Sequence, residues 1–156
     1  MSNSKKFQEV KAEILRRAES ENACLSQYGR AKNSETVNEL LEVVKDNFEW
    51  CWSRKIVDID LLNLLGNDDL WSNGIYTTGE HDLTFSEDVR LIFLGNSQAT
   101  VKTWGSSQAT VETRESSQAT VKTRGSSIIR NLTTRKIYVP KNGWEIIVYE
   151  EPGLPF

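Results

Sequence analysis

Five carboxylates stand at steps of four, three, four and three: Glu35, Glu39, Glu42, Asp46 and Glu49. On a helix that spacing keeps them on one face, where like charges repel and need solvent or a basic partner. Charge alone gives this strip three readings. It is a solvated face, or a docking strip that meets the Lys and Arg of a partner or imitates a row of phosphates, or a dock for the chain's own basic repeats. A second set of residues follows at strand-like intervals: Lys102, Trp104, Arg114, Lys122, Arg124, Arg130 and Arg135. Spaced cations match phosphates, and an aromatic such as Trp104 can stack on a base. Both sets point to binding, of a protein or of nucleic acid.

Groups suited to making and breaking bonds are sparse. His81 is the only histidine, and Glu80-His81-Asp82 has no second His or Cys at ligand spacing, so no metal is expected. Asp58 with Asp60, and Asp68 with Asp69, read as caps and turn residues rather than acid–base pairs. No glycine-rich phosphate loop, nucleophile elbow or zinc motif occurs. The sequence predicts a non-enzyme with no cofactor. Cys24 and Cys51 read as reduced, partly buried thiols. Repeated threonines raise the question of an ice-binding face, but Thr100 and Thr103 have opposite parity and Lys102 and Glu112 interrupt the outward row.

The elements that must position these residues divide the chain in two. The 156 residues suffice for one ordinary domain or two small ones. Residues 1–100 carry 11 Lys/Arg and 17 Asp/Glu, and residues 101–141 carry 8 Lys/Arg against 2 Glu. An acidic front thus precedes a basic middle. No apolar run is long enough to span a membrane, and the charged start MSNSKKFQEVKAEILRR lacks a secretory core, so a cytoplasmic protein is expected.

Residues 1–74 read as a helical domain. Phe7, Val10, Ile14 and Ala18 predict a helix from about Lys5 to Glu21, capped by Asn3 or Ser4. A short second helix over Ala23–Tyr28 would stop at Gly29. Val37, Leu40, Leu41, Val44, Phe48, Cys51 and Trp52 form one apolar stripe over four turns, with Asn33 or Ser34 as cap. Asp58 caps a short helix through Leu65 that Gly66 ends, and Asn67–Gly74 reads as a loop or frayed turn.

Residues 75–156 read as a repetitive β domain. Asn96–Gly105, Ser106–Glu115 and Ser116–Gly125 are three copies of one ten-residue unit, and Ser86–Gly95 and Ser126–Arg135 fit the same frame as atypical outer units. Ala99, Val101 and Thr103 alternate with Thr100, Lys102 and Trp104, so the first set faces inward in every copy. Val89, Leu91 and Phe93 would plug one end. If consecutive copies stack in register, Lys102, Glu112 and Lys122 form a row of alternating sign, beside rows of Thr100/Thr110/Thr120 and Trp104/Arg114/Arg124. A β-solenoid with Ser-Ser-Gln corners is favoured. An antiparallel meander is the alternative, although it needs a left-handed residue that Glu115 supplies poorly. Ile137–Val139 and Trp144–Tyr149, joined by Pro140–Gly143, predict a hairpin that closes the stack and covers its last edge.

The segment SETVNELLEVVKDNFEWCWSRKI at 34–56, the Asn73-Gly74-Ile75-Tyr76 turn and the NSQATVKTW-type repeats resemble a group of uncharacterised proteins of gut Bacteroidales and their mobile elements. There a helical head precedes a variable number of short NATV-like units, often of eight residues rather than ten. The resemblance implies no enzymatic activity and a phage or mobile-element setting. The fold expected is therefore α+β, a helical head followed by repetitive β structure. The function expected is that of a non-catalytic binding protein, in its sharpest form an inhibitor of a bacterial defence nuclease of CRISPR type that blocks a surface. The alternatives are an assembly module that self-associates through its repeats or through Phe48, Trp50 and Trp52, and a nucleic-acid binder using the basic ladder.

Overall fold

The structure, a computed structural model, describes residues 2–103, 108–123, 128–131, 136–142 and 145–150, and the surroundings of side chains at 5–103 and 109–122. The architecture is mixed α+β with helices first. The chain divides into two compact units, Met1–Asn73 and Gly74–Phe156.

In the first unit, α1 (Ser2–Ser20) buries Phe7, Val10, Ile14 and Ala18, the face their spacing predicts. α2 (Leu25–Lys32) begins later and runs further than expected, and Gly29 lies inside it. A helical glycine costs only about 1 kcal/mol relative to alanine, so it does not by itself end a helix. α3 (Val37–Asp46) is capped by Thr36 rather than by Asn33 or Ser34. Thr36 Oγ1 accepts from the Glu39 N–H at 3.1 Å, and Glu39 Oε2 accepts from the Glu35 N–H at 2.9 Å, a reciprocal pair that satisfies two free amides. Ser34 is buried instead and donates to the Ala31 carbonyl at 2.6 Å.

The long helix expected here is broken. Asn47 sits at φ −121°, ψ 28°, and α4 (Phe48–Ser53) starts after it. Asn47 Nδ2 donates to the Val43 carbonyl at 2.9 Å, which competes with the backbone ladder. The apolar stripe survives the break, because Leu40, Leu41, Val44, Phe48 and Cys51 are all buried. Asp58 caps α5 (Ile59–Asn63) as expected, accepting from the Leu61 N–H at 2.8 Å. Asn67–Ser72 is a helix, α6, not a loop. Burial of Leu70 and two aspartates in the first turn favour it. Among the described residues no helix is long and apolar enough to cross a membrane.

The second unit holds β1 (Ile75–Tyr76), β2 (Glu80–Phe85), β3 (Val89–Phe93), β4 (Gln98–Thr103), β5 (Gln108–Thr113), β6 (Gln118–Thr123), β7 (Ile128–Asn131), β8 (Lys136–Asn142) and β9 (Glu145–Glu150). They form two sheets, ordered β1-β3-β5-β7 and β2-β4-β6-β9-β8. Every pair among β1 to β7 is parallel. The repeats therefore do not form an antiparallel meander. The expected hairpin is β8 with β9, and β9 adds antiparallel to β6. It extends the second sheet and leaves β7 at the end of the first, so it does not close the array.

Consecutive copies are not stacked neighbours. Gln98 faces Gln118 and Val89 faces Ala109, a separation of 20 residues or two copies. Each copy crosses to the other sheet, so Lys102 lies beside Lys122, Thr100 beside Thr120, and Glu112 beside Ile92. The row of alternating sign does not form, nor does the continuous threonine row. The corners explain why. Gly95 (φ 62°) and Glu115 (φ 61°) occupy the same place in their units and turn the chain through the left-handed region. Buried Ser97 donates to the Leu94 carbonyl at 2.9 Å, and buried Ser117 lies 2.6 Å from the Arg114 carbonyl and 2.7 Å from that of Phe93. The Gln118 N–H then bonds to the Ser97 carbonyl at 3.1 Å, tying one corner to the next.

Alternation inside each strand is as predicted. Ala99, Val101, Ala109, Val111, Ala119 and Val121 share one core with Leu91, Phe93 and Tyr76. Small inward residues leave the two sheets little to fill, and the bulky members gather where Tyr76 stacks on Phe93 at 5.2 Å. Gly74 (φ 74°) leads into β1, and a Cβ there would collide with the Arg90 carbonyl oxygen.

Candidate functional site

On the helical unit, Glu35, Glu39, Glu42, Asp46 and Glu49 are all exposed. They are not one helical strip. Glu35 precedes α3, Glu39 is engaged in its cap, and Glu49 follows the break at Asn47. Asp46 pairs with Arg30 of α2 at 3.0 Å, an exposed contact worth at most about 1 kcal/mol. Two of the five, Glu39 and Glu42, edge a shallow depression between α2 and α3, whose walls also include Leu25, Gly29, Arg30 and Val43. Leu25 is 89 % exposed, the most exposed large apolar side chain among the described residues. Sequence reasoning missed it. The signal was present, because Leu25 lies about 120° around a helix from Ala31, the buried residue of α2.

On the β unit the two sheets present different outward faces. On the second sheet, Asp82, Thr100 and Thr120 form one in-register row and Thr84, Lys102 and Lys122 another. Asp82 and Thr84 are exposed, and the other four are half-buried. The register continues to Ile147 and Glu145 of β9. This gives a polar face with two adjacent lysines, bordered by Glu80 and Asp82. On the first sheet the outward positions Ile75, Ile92, Leu94, Glu112 and Arg114 are buried, whereas Arg90 is exposed and its neighbour Thr110 half-buried.

Arg114 is therefore not a rung of an exposed basic ladder. It is 3 % exposed, lies 3.7 Å from Glu112, and donates from Nη1 to the Thr113 carbonyl at 3.1 Å. Residues two apart on a strand share a face, which is why this pair meets. Trp104, Arg124 and Arg135 lie outside the described residues. Arg130 is on β7 opposite Thr110, with its side chain outside them as well. Lys102 and Lys122 are the expected ladder residues that the structure brings together, and Lys102 and Arg114 are on different sheets.

His81 pairs in register with Ala99 and so faces inward at the start of the second sheet. Its ring is 4.6 Å from that of Tyr76, and Nε2 is 2.8 Å from the Thr78 carbonyl oxygen. Burial pushes the Tyr76 hydroxyl above its ordinary value. Among the described residues no three His, Cys, Asp or Glu side chains gather in a way that could hold a metal ion. Phe48 is buried and stacks on Trp52 at 5.7 Å, and Trp50 and Trp52 are half-buried. Both cysteines are free thiols, Cys24 exposed and Cys51 buried.

No protein-family model, curated protein or solved structure matches this chain, so its surfaces must be read from their own chemistry.

Proposed function

We propose that the protein is a non-catalytic binding protein whose contact surface is the depression between α2 and α3. Leu25 carries the reading: an almost fully exposed leucine set in a concave site with Glu39 and Glu42 on its wall. An apolar anchor beside Glu39 and Glu42, with Arg30 already paired to Asp46, suits a protein partner that offers an apolar side chain among Lys and Arg. Proteins that handle nucleic acid carry such surfaces. In its sharpest form the reading is a phage or mobile-element inhibitor that covers the basic surface of a bacterial defence nuclease of CRISPR type. The exposed carboxylates and the resemblance to mobile-element proteins both support it.

The test is a pull-down from bacterial lysate with the intact chain, repeated with Leu25→Asp and Glu42→Lys. Neither residue makes a capping contact or a core contact, so both variants keep the fold. A stoichiometric partner that both variants lose supports the reading. A partner that both retain sinks it. Cleavage by the captured nuclease, measured with and without the protein, then decides the inhibitor form.

For the β unit we infer a solenoid with 20 residues per turn, the two sheets being its opposite walls. Parallel pairing two copies apart, a shared Ala/Val core and equivalent corners at Gly95 and Glu115 support it. In this reading the tail is a display scaffold, and end-to-end assembly through its outer strands is the second functional reading. Light scattering over a concentration series measures that directly. Among the described side chains of the basic ladder, Lys102 and Lys122 support a nucleic-acid role and Arg114, buried in its pair with Glu112, does not.

A further inference from the structure

The first unit contains a cavity that the contact surface does not use. Its volume is about 420 Å³, within the range of small-molecule pockets. It lies among α1, α2, α3 and α4, and among the described residues no charged side chain lines it, in a chain of which 26 % is charged.

Two helix endings build its wall. After α1, Asn22 turns left-handed (φ 58°), the Ala23 N–H reaches the Ala18 carbonyl at 3.0 Å, and the Asn22 N–H reaches that of Glu19 at 3.1 Å. After α4, Lys55 does the same (φ 57°), with the Ile56 N–H on the Cys51 carbonyl at 2.8 Å and the Lys55 N–H on that of Trp52 at 3.2 Å. Both are Schellman motifs, which bring together the apolar residues on either side of the turn. Those pairs, Ala18 with Ala23 and Cys51 with Ile56, all face the cavity. Ala31 and Val43 supply the opposite side. Of the polar residues in the lining, Asn47 and Gln27 are joined, since Asn47 Nδ2 donates to Gln27 Oε1 at 2.9 Å and Arg30 donates to that same oxygen at 3.0 Å. Cys24, exposed, stands among the lining residues with its thiol open to solvent.

We propose that this cavity binds a small, uncharged, apolar molecule. The wall is mostly apolar and carries no charge, so a charged ligand would lose its hydration with no charged partner in return. The small residues Ala18, Ala23 and Ala31 leave the space that a ligand fills.

The probe for the test is the uncharged fluorophore N-phenyl-naphthylamine, titrated into the full chain. Saturable fluorescence at one dye per chain is expected. Ala31→Leu, which fills the cavity from its wall, should weaken the dye by about tenfold or more. A second measurement needs no variant. Cys24 is open to maleimide, whereas Cys51 is buried and its thiol is pushed up to about 12 by desolvation. Saturating dye should therefore slow labelling of Cys24 by roughly tenfold, as expected for a site occupied nine-tenths of the time. Non-saturable fluorescence, or unaltered Cys24 labelling under saturating dye, overturns the proposal. So does displacement of the dye by a protein partner captured through Leu25, because the cavity would then be part of that interface. A captured partner that Leu25→Asp and Glu42→Lys both retain, with dye binding intact, overturns the contact-surface reading alone.

Discussion

Lys102 and Glu112 hold the same place in two successive copies of one repeat, yet their surroundings differ. Lys102 is half-buried on the second sheet with Lys122 as its in-register neighbour. Glu112 is 5 % exposed on the first sheet, next to Ile92 and 3.7 Å from Arg114. The inward positions show no such split, since Val101 and Val111 are both fully buried in one core. Identity of sequence over ten residues therefore sets which side chains face the core. The topology, which repeats every 20 residues, sets what lies beside the others.

The largest test of this contrast is Glu112→Lys. It places two cations together in a buried site and should cost about 3–5 kcal/mol in urea unfolding. A loss below the scatter of surface variants would mean that the two outward faces are alike after all. Next come Val111→Ala and Val121→Ala, each expected to cost roughly 2 kcal/mol and to match one another, because the inner faces are equivalent. A large difference between them would move the asymmetry into the core. Glu115→Gly should then add about 1 kcal/mol of stability by relieving a left-handed non-glycine corner, while Gly95→Glu should remove a similar amount at the equivalent corner. The smallest effect is Lys102→Glu, which replaces a like-charge neighbour of Lys122 with an opposite one. A gain of roughly 0.2–1 kcal/mol is expected, fading as salt is raised. If Lys102→Glu instead destabilised, Lys122 would not be its effective neighbour.

Much of this was legible from the residues. Phe7, Val10, Ile14 and Ala18 announce the buried face of α1, Asp58 announces the cap of α5, and the Ala-x-Val-x-Thr alternation announces the inward face of every repeat strand. These are local properties, governed by the helical and strand periods. What was not legible depends on partners distant in sequence. Ala99 points inward whichever strand lies beside it, so periodicity could not tell a neighbour ten residues away from one at 20. Glu115 was weighed as a poor left-handed residue in a hairpin, when it serves that role at a corner between parallel strands. Arg114 looked like a rung of an exposed ladder, because nothing in a strand's own sequence says that its outer face is also buried. In the head, Asn33, Ser34 and Thr36 are all good caps by type, and only the reach of Glu39 back to the Glu35 amide selects Thr36. The cavity beside Cys24 is a property of four helices together and leaves no mark in any one of them.

The crossing of each copy to the opposite sheet has a consequence for how this gene can change. Tandem units as alike as Ser-Ser-Gln-Ala-Thr-Val invite copying slips that add or delete one of them. A slip by two copies returns every later strand to its own sheet and lengthens or shortens each sheet by one strand. A slip by one sends each later strand, and the hairpin after them, to the other sheet, where a buried Glu–Arg pair is traded for a half-exposed lysine. Selection on the fold should therefore see copy number as odd or even before it sees it as large or small.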